Sequence, residues 1–501
     1  MKFLDLLDGA EVLAQSGNPQ VVGVEYDSRR VKPGDVFVAM QGQSSDGNRF
    51  ISQAIAAGAV AVVIDSNQMP ERVAWAKVQH GRRALAAVSA NLLGHPAEKL
   101  AITGITGTNG KSTTTFLLES ILSGAGRKSA LVGTIEYHVA GKVLPAPHTT
   151  PEALELHRIF REAVDAGATE AVMEVSSHAL VQQRVFGIPF DVAVFTNLTR
   201  DHLDYHKTMD EYFSAKRILF AGCGTRGPRV AVLNTDDDYG LQLAKVCKER
   251  HGEVITYGLS RGDLHAARLE ITPGATQFDL VTPHETIPVT SPLIGRVNAY
   301  NILAASAAGF ARGCTSEAIH TGIRTLSHVP GRFERVDCGQ PFTVVVDYAH
   351  TDDAVRNLTA LAREFVKPSN GRVITMFGCG GDRDRSKRPL MGEAAGRGSD
   401  FVVLTSDNPR SEDPLAIIND ALVGLQRSGA KYKTESDRRT AMRLAISEAQ
   451  QGDIVLIAGK GHEQVQITKH GTIAFDDRQI AEDVLGALGY DCVRASAVKS
   501  A

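Results

Sequence analysis

The sequence has little that would staple it, anchor it or give it a dominant charge. Its six cysteines (Cys223, Cys247, Cys314, Cys338, Cys379 and Cys492) lie far apart and form no C-x-x-C pair. So long a chain needs no disulfide staples, and the six are expected to be reduced thiols. No stretch reaches the roughly 20 apolar residues of a membrane span. The first eight residues interrupt their apolar run with Asp5 and Asp8, so a secretory leader is not expected there and the expected location is the cytoplasm. Neither sign of charge prevails, since 54 Lys and Arg face 57 Asp and Glu, a net of -3. Bulk attraction to nucleic acid is thereby excluded, and any anionic substrate must be met by local donors.

Low-complexity linkers and short repeats are also missing, so divisions are read from where the strand and helix rhythm restarts. At roughly 150 residues per domain, 501 residues predict about three domains. A hydrophobic share of 43% against 22% charged residues suits buried cores, and 47 glycines promise tight turns and close backbone approaches. Strand-like runs at 21–24, 35–40 and 59–64 alternate with Ala-rich helical stretches at 51–57 and 83–93, giving a small α/β domain over 1–98. A second unit, 99–331, opens with the apolar run 100–105, a glycine-rich loop and an amphipathic helix carrying Phe116, Leu117, Leu118, Ile121 and Leu122. Further strands at 171–175, 192–195 and 230–233 predict a parallel sheet. The third, 332–501, holds apolar runs at 344–346, 373–377, 402–405 and 455–458, each followed by a polar or glycine-rich cluster. Ligands gather beyond the carboxyl ends of parallel strands, so this Rossmann-like α/β domain is expected to carry a second binding edge.

The clearest chemistry lies in Gly107-Thr108-Asn109-Gly110-Lys111-Ser112-Thr113. Between a strand and a helix, its backbone N–H groups and the Lys111 ammonium would surround phosphate oxygens, with the Ser112 hydroxyl available to Mg2+. The eight-residue Walker pattern is incomplete, because Ile105 stands where its first glycine belongs. Glu174 ends an apolar strand, where it reads equally as a metal ligand or a solvated terminus. His202 alone reads as structural, and Lys216, on an apparent helix, as a solvated lysine.

The stretch 102–114 resembles the ATP loop of the Mur ligases, which build the peptide of bacterial cell-wall precursors. The resemblance runs along nearly the whole chain, through Asp27-Ser28-Arg29, the segment 33–39, His148-Thr149-Thr150-Pro151, Glu174-Val175-Ser176-Ser177-His178, the segment 197–206, Gly331-Arg332-Phe333-Glu334 and Asp347-Tyr348-Ala349-His350. It is most similar to the members that add diaminopimelate. That implies three domains holding, in order, the UDP substrate, ATP with metal, and the incoming amino acid. It also implies a monomeric ATP- and Mg2+-dependent amide ligase acting on UDP-N-acetylmuramoyl-L-Ala-D-Glu through an acyl phosphate.

The resemblance assigns Lys111, Glu174, His202 and Lys216 to catalysis. Ser112, Glu174, His202 and a carbamate formed on Lys216 are the implied metal ligands, and Asn301 and Arg332 join the loop residues around ATP. Tyr26, Ser28, Gln43, Ser44, Ser45, His148, Thr149, Thr150, Ser176, Gln182 and Arg184 map to the UDP-peptide; taken alone, most would be loop caps or surface polar groups. Arg383, Asp407, Asn408, Pro409, Arg410, Gly459 and Glu463 map to diaminopimelate. Arg410 suits a carboxylate, and Asp407 and Glu463 an ammonium. His350 and Asp347 fall on the nucleotide side, but Asp352 stands where relatives usually carry proline, a departure expected to alter the turn. A lysine-adding ligase would lack Arg410, folylpolyglutamate synthase would not need the Asp27-Ser28-Arg29 domain, and a non-catalytic ATP-gated scaffold would not need Lys111, Glu174, His202 and Lys216.

Overall fold

The computed structural model describes residues 1–42, 45–67, 69–249 and 252–492. Three helix-covered sheets follow one another along the chain. The first has five strands in the order Val12–Ser16, Ala74–Val78, Ala61–Ile64, Asp35–Ala39, Gly23–Glu25. All its pairs are parallel except the first, whose edge strand carries too few apolar residues to be legible in the sequence. The last three match the expected runs, and helices Ile51–Ala56 and Gly81–Leu93 match the Ala-rich stretches.

The central sheet has 11 strands. At its heart Ala101–Thr106 lies between Phe190–Phe195 and Glu170–Glu174, all parallel. These strands read as continuous apolar runs because both faces are covered. Ile105, Val172 and Val194 pack under helices Lys111–Gly124 and Arg296–Ala311, whereas Ile102, Met173 and Ala193 face the layer holding Ala153–Asp165 and Met209–Ala221. The expected parallel sheet is therefore the core of a mixed one. Antiparallel strands extend it at both edges, Glu136–Val139 and Lys142–Pro145 at one and Thr276–Val281 and Thr286–Ser291 at the other.

The third sheet runs Glu334–Val336, Thr343–Asp347, Ile454–Ala458, Val373–Cys379, Phe401–Ser406, Lys431–Thr434, parallel throughout save for its first pair. Its four buried central strands are the four expected runs. One expectation is corrected here. Cys338 and Cys492 form a disulfide, while Cys223, Cys247, Cys314 and Cys379 are buried free thiols. The partners are 154 residues apart in sequence and meet only because the segment after helix Asp477–Ala487 returns beside the sheet edge. Spacing alone gives no sign of that approach.

Candidate active site

The phosphate loop leaves strand Ala101–Thr106 and enters helix Lys111–Gly124, whose first N–H groups lack intrahelical acceptors and carry the positive end of the helix dipole. Gly107 and Gly110 have φ of 149° and 86°. A Cβ on the first would strike Thr196 Oγ1 and on the second Asn301 Oδ1, so both positions need glycine for space as well as conformation. The chain from 196 to 199 braces the loop from outside. Asn109 N donates to Asn197 Oδ1 at 2.9 Å, and Thr199 N donates to Thr108 Oγ1 at 3.0 Å. Thr108 and Asn109 thus have structural partners, and Lys111 Nζ folds back over the loop, donating to the Gly107 carbonyl at 3.1 Å and to that of Thr108 at 2.9 Å.

Behind the loop lies Lys216. The expectation of a solvated lysine is overturned, because the side chain is buried, donates to the Gly107 carbonyl at 2.8 Å and lies 4.6 Å from the centre of the Tyr212 ring. Burial, reinforced by the Lys111 charge, drives its pKa well below the usual lysine value, which favours a neutral amine. Glu174 is also buried. Thr134 donates to it from N at 2.7 Å and from Oγ1 at 2.9 Å, and among the described residues it has no ion-pair partner. His202 sits in left-handed conformation, φ 55°, with Nε2 3.4 Å from Asp201 Oδ2.

A buried carboxylate suits a cation, and the Lys111 charge already acts on this one. Yet among the described residues no three His, Cys, Asp or Glu side chains gather as a metal-binding group. Carboxylate and hydroxyl oxygens are the donor types Mg2+ takes, so the chemistry of Glu174 and Ser112 suits it. Asn301, on helix Arg296–Ala311, borders the loop, and its Oδ1 is 3.5 Å from Thr114 Oγ1.

The third sheet reaches into this site. Arg332 donates to Ser112 Oγ at 3.1 Å, and its guanidinium lies 4.6 Å from the Tyr348 ring centre. Asn109 Nδ2 donates to Asp353 Oδ2 at 3.0 Å, while Lys387 Nζ is 3.6 Å and His350 Nε2 3.9 Å from Asp201. Asp352, expected to disturb the turn, is the first residue of helix Asp352–Val366, capped by Thr351. That position accepts proline and equally welcomes an acid at the positive helix end, so the helix begins there in either case. Asp347 is held by the Phe333 and Ala349 N–H groups.

Beyond the parallel strands of the same sheet, the loop 407–410 and the loop 459–463 face each other. Asn408 Nδ2 donates to Glu463 Oε2 at 2.7 Å, and Lys460 Nζ donates to Asn408 Oδ1 and Glu463 Oε2, both at 3.0 Å. Gly459, φ 117°, leaves room for Asp407, whose Oδ2 would lie 2.6 Å from a Cβ there. Arg410 takes the left-handed conformation, φ 53°, and donates to the Gly381 carbonyl at 2.8 Å. Burial and the Arg383 charge lower its pKa, and Arg410 Nη1 and Arg383 Cγ both border Gly380, so two arginines flank one place. Such an arrangement attracts a carboxylate. The fully buried Lys460 was missed as a site residue although it stands between Gly459 and Glu463.

The remaining positions form a third group. Arg184 ion-pairs with Glu152 at 3.0 Å and donates to Gln182 Oε1 at 2.7 Å and to the Thr150 carbonyl at 2.9 Å. Thr150 Oγ1 donates to the Glu174 carbonyl at 2.8 Å, Thr149 Oγ1 is 3.0 Å from Thr134 Oγ1, and the His148 carbonyl accepts from Tyr137. Ser176 caps helix Ser177–Val181. Tyr26 joins this group through Glu155, at 3.1 Å, but Ser28 instead donates to Gln53. The Ser45 carbonyl accepts from Gly42 N at 2.9 Å. Gln43 and Ser44 lie outside the described residues.

A phosphate-binding loop, a buried lysine and carboxylate behind it, and a second polar edge across the cleft define a nucleotide-dependent enzyme that brings two further reactants to one phosphoryl group. Three family models match the chain: Mur ligase family, catalytic domain, over residues 20–100; Mur ligase middle domain over 105–309; and Mur ligase, glutamate ligase domain, over 331–461. A UDP-N-acetylmuramoyl-L-alanyl-D-glutamate--2,6-diaminopimelate ligase of Solibacter usitatus is 54% identical, with 96% of each chain covered. One of the same name from Geobacillus thermodenitrificans is 47% identical over 93% of this chain and 95% of its own. A solved structure of that name has 34% identity and a TM-score of 0.66, covering 93% of this chain and 95% of its own. The chain belongs to the Mur ligase family.

Proposed function

We propose that this chain is the ligase that adds meso-diaminopimelate to the D-glutamate side-chain carboxylate of UDP-N-acetylmuramoyl-L-Ala-D-Glu, in the synthesis of peptidoglycan precursors. Similarity along its length to enzymes of that name supports the assignment. The observation that carries the choice of amino acid is that Arg383 and Arg410 both border Gly380, with the Asp407 and Glu463 charges acting on Arg410. Diaminopimelate ends in both a carboxylate and an ammonium group, and this site offers partners for both. Lysine would lack the carboxylate that diaminopimelate brings to the half-buried Arg410, a difference that specificity can exploit.

A carboxylate resists attack by an amine until it acquires a leaving group. ATP transfers its γ-phosphoryl group to a glutamate carboxylate oxygen, releasing ADP; the diaminopimelate amine then attacks the acyl phosphate carbonyl and loses a proton as the C–O bond breaks, and inorganic phosphate departs with the original carboxylate oxygen. Lys111 and the helix start behind it meet the charge that builds on the phosphoryl oxygens. When bound, Mg2+ supplies further neutralisation of that charge. Glu174, His202 and Ser112 are assigned to hold it, and the neutral amine of Lys216 is suited to add carbon dioxide, losing a proton to become an anionic carbamate. Arg332 and Asn301 steady the nucleotide, while the cluster around Arg184 and Thr150 orients the UDP-peptide beside Glu174.

Among the described residues no helix is long and apolar enough to cross a membrane. We place the enzyme in the cytoplasm, where its nucleotide substrates are made, and take one chain, which supplies all three pockets, as the working unit. Production of one ADP per tripeptide nucleotide from the three substrates tests the assignment; no amine-dependent product removes it.

A further inference from the structure

The two loops assigned to the amino acid do not leave neighbouring strands. The loop 407–410 follows Phe401–Ser406 and the loop 459–463 follows Ile454–Ala458, with Val373–Cys379 lying between them in the sheet. Ladder hydrogen bonds reach from one to the other only through that middle strand, and two strand spacings separate their roots, about 10 Å. The Arg438 side chain touches both roots. Arg438 Nη1 donates to the Ser406 carbonyl at 3.3 Å and Nη2 to the Ala458 carbonyl at 3.1 Å, the last residue of each strand.

The rest of the guanidinium is held by Asp477, which accepts from Nε at 2.9 Å and from Nη2 at 2.6 Å. Both side chains are 0% exposed. Each opens a helix, Arg438–Glu448 and Asp477–Ala487, capped respectively by Asp437 and Asp476. A cation in a first helical turn opposes the helix dipole, so local helix stability does not account for Arg438. Nor is a buried ion pair by itself a strong source of stability, since well-packed apolar residues often serve as well. What apolar residues cannot supply is two donors to two strand ends.

We propose that Arg438 and Asp477 are positioning residues for the incoming amino acid, setting the separation of the loop that carries Asn408 and Arg410 from the loop that carries Glu463. The inference rests on the assignment of those loops to diaminopimelate. Above this tie, Lys460 bridges Asn408 and Glu463, and Gln466 Nε2 donates to the Asp407 carbonyl at 2.6 Å, so a shift at the roots carries directly to the groups that face substrate.

The test replaces the pair together, Arg438→Met with Asp477→Leu, in the full chain, so that no buried charge is left alone. The melting temperature is expected to stay near that of the unchanged protein, and KM for diaminopimelate to rise about 10- to 100-fold. The KM values for ATP and the UDP-dipeptide are expected to stay as they were. Arg438→Lys, which keeps the charge opposite Asp477 but cannot reach both carbonyls, is expected to raise the same constant by a smaller factor, and it carries the test if the double variant does not fold. Unchanged KM for diaminopimelate in the folded variant overturns the proposal, as does an equal loss across all three substrates. The unchanged protein is assayed alongside: if it shows no diaminopimelate-dependent ADP release, the assigned function fails and the proposal with it.

Discussion

Lys216 Nζ donates to the Gly107 carbonyl at 2.8 Å, tying helix Met209–Ala221 to the first glycine of the phosphate loop. The amine is buried, lies beside the Lys111 charge and is pushed toward its neutral form. Carbamate formation requires a neutral amine and would turn this place from potentially cationic to anionic. Lys216→Ala is expected to lower kcat by about 10²- to 10³-fold, and Lys216→Glu, which restores an anion, to retain more. Equal and high turnover in both variants would contradict the role.

Arg410 holds a left-handed backbone conformation that few non-glycine residues adopt, and it shares its charge environment with Arg383. Arg410→Lys keeps a positive charge but loses the planar fork that grips a carboxylate. KM for diaminopimelate is expected to rise about 10- to 100-fold, with KM for ATP little changed. Steady-state kinetics with each substrate varied in turn provides the check.

His138, far from catalysis in role, reports on the central sheet. Burial alone would lower its pKa, but Glu119 and Glu136, 2.7 Å and 2.9 Å from its ring nitrogens, hold it up at about 9. The folded value exceeds the unfolded 6.5, so this contribution is complete below pH 6.5 and disappears as pH rises through about 9. After discounting for solvent screening of this partly exposed cluster, it amounts to about 1 kcal/mol. Urea midpoints at pH 6 and pH 10 are expected to differ more in the unchanged protein than in His138→Gln. The same pH difference in both would contradict the pairing.

The Cys338–Cys492 bond replaces two of the six thiols expected from the sequence. Protein purified without reductant and then denatured is expected to titrate four thiols, those of Cys223, Cys247, Cys314 and Cys379. Titration of all six cysteines would show the bond absent.

Continuous apolar runs made the buried parallel strands legible, Ala101–Thr106 and Val373–Cys379 among them, because those strands are covered on both faces. Val12–Ser16 and Thr286–Ser291, exposed along one side or at an edge, offered no such run. In the site, the residues of 107–113 and 407–410 could be found because each local string carries its own chemistry. Thr134, which holds Glu174, and Arg438, which holds two strand ends, could not. Their partners lie 40 residues away for Thr134, and 32, 20 and 39 away for Arg438, so only the folded chain brings them together. Lys216 lies on the apolar stripe of its helix with Tyr212, Ala215, Leu219 and Phe220, so its burial could have been read from the periodicity, whereas its chemistry was legible only through its family.

The central claim is that the Arg383 and Arg410 pair selects an amino acid with a carboxylate at its far end. The measurement that tests it most directly is ADP release with the UDP-muramoyl dipeptide and ATP fixed, comparing meso-diaminopimelate with L-lysine. The account predicts kcat/KM for diaminopimelate higher by about 10³-fold or more. Comparable kcat/KM for the two amino acids would contradict it.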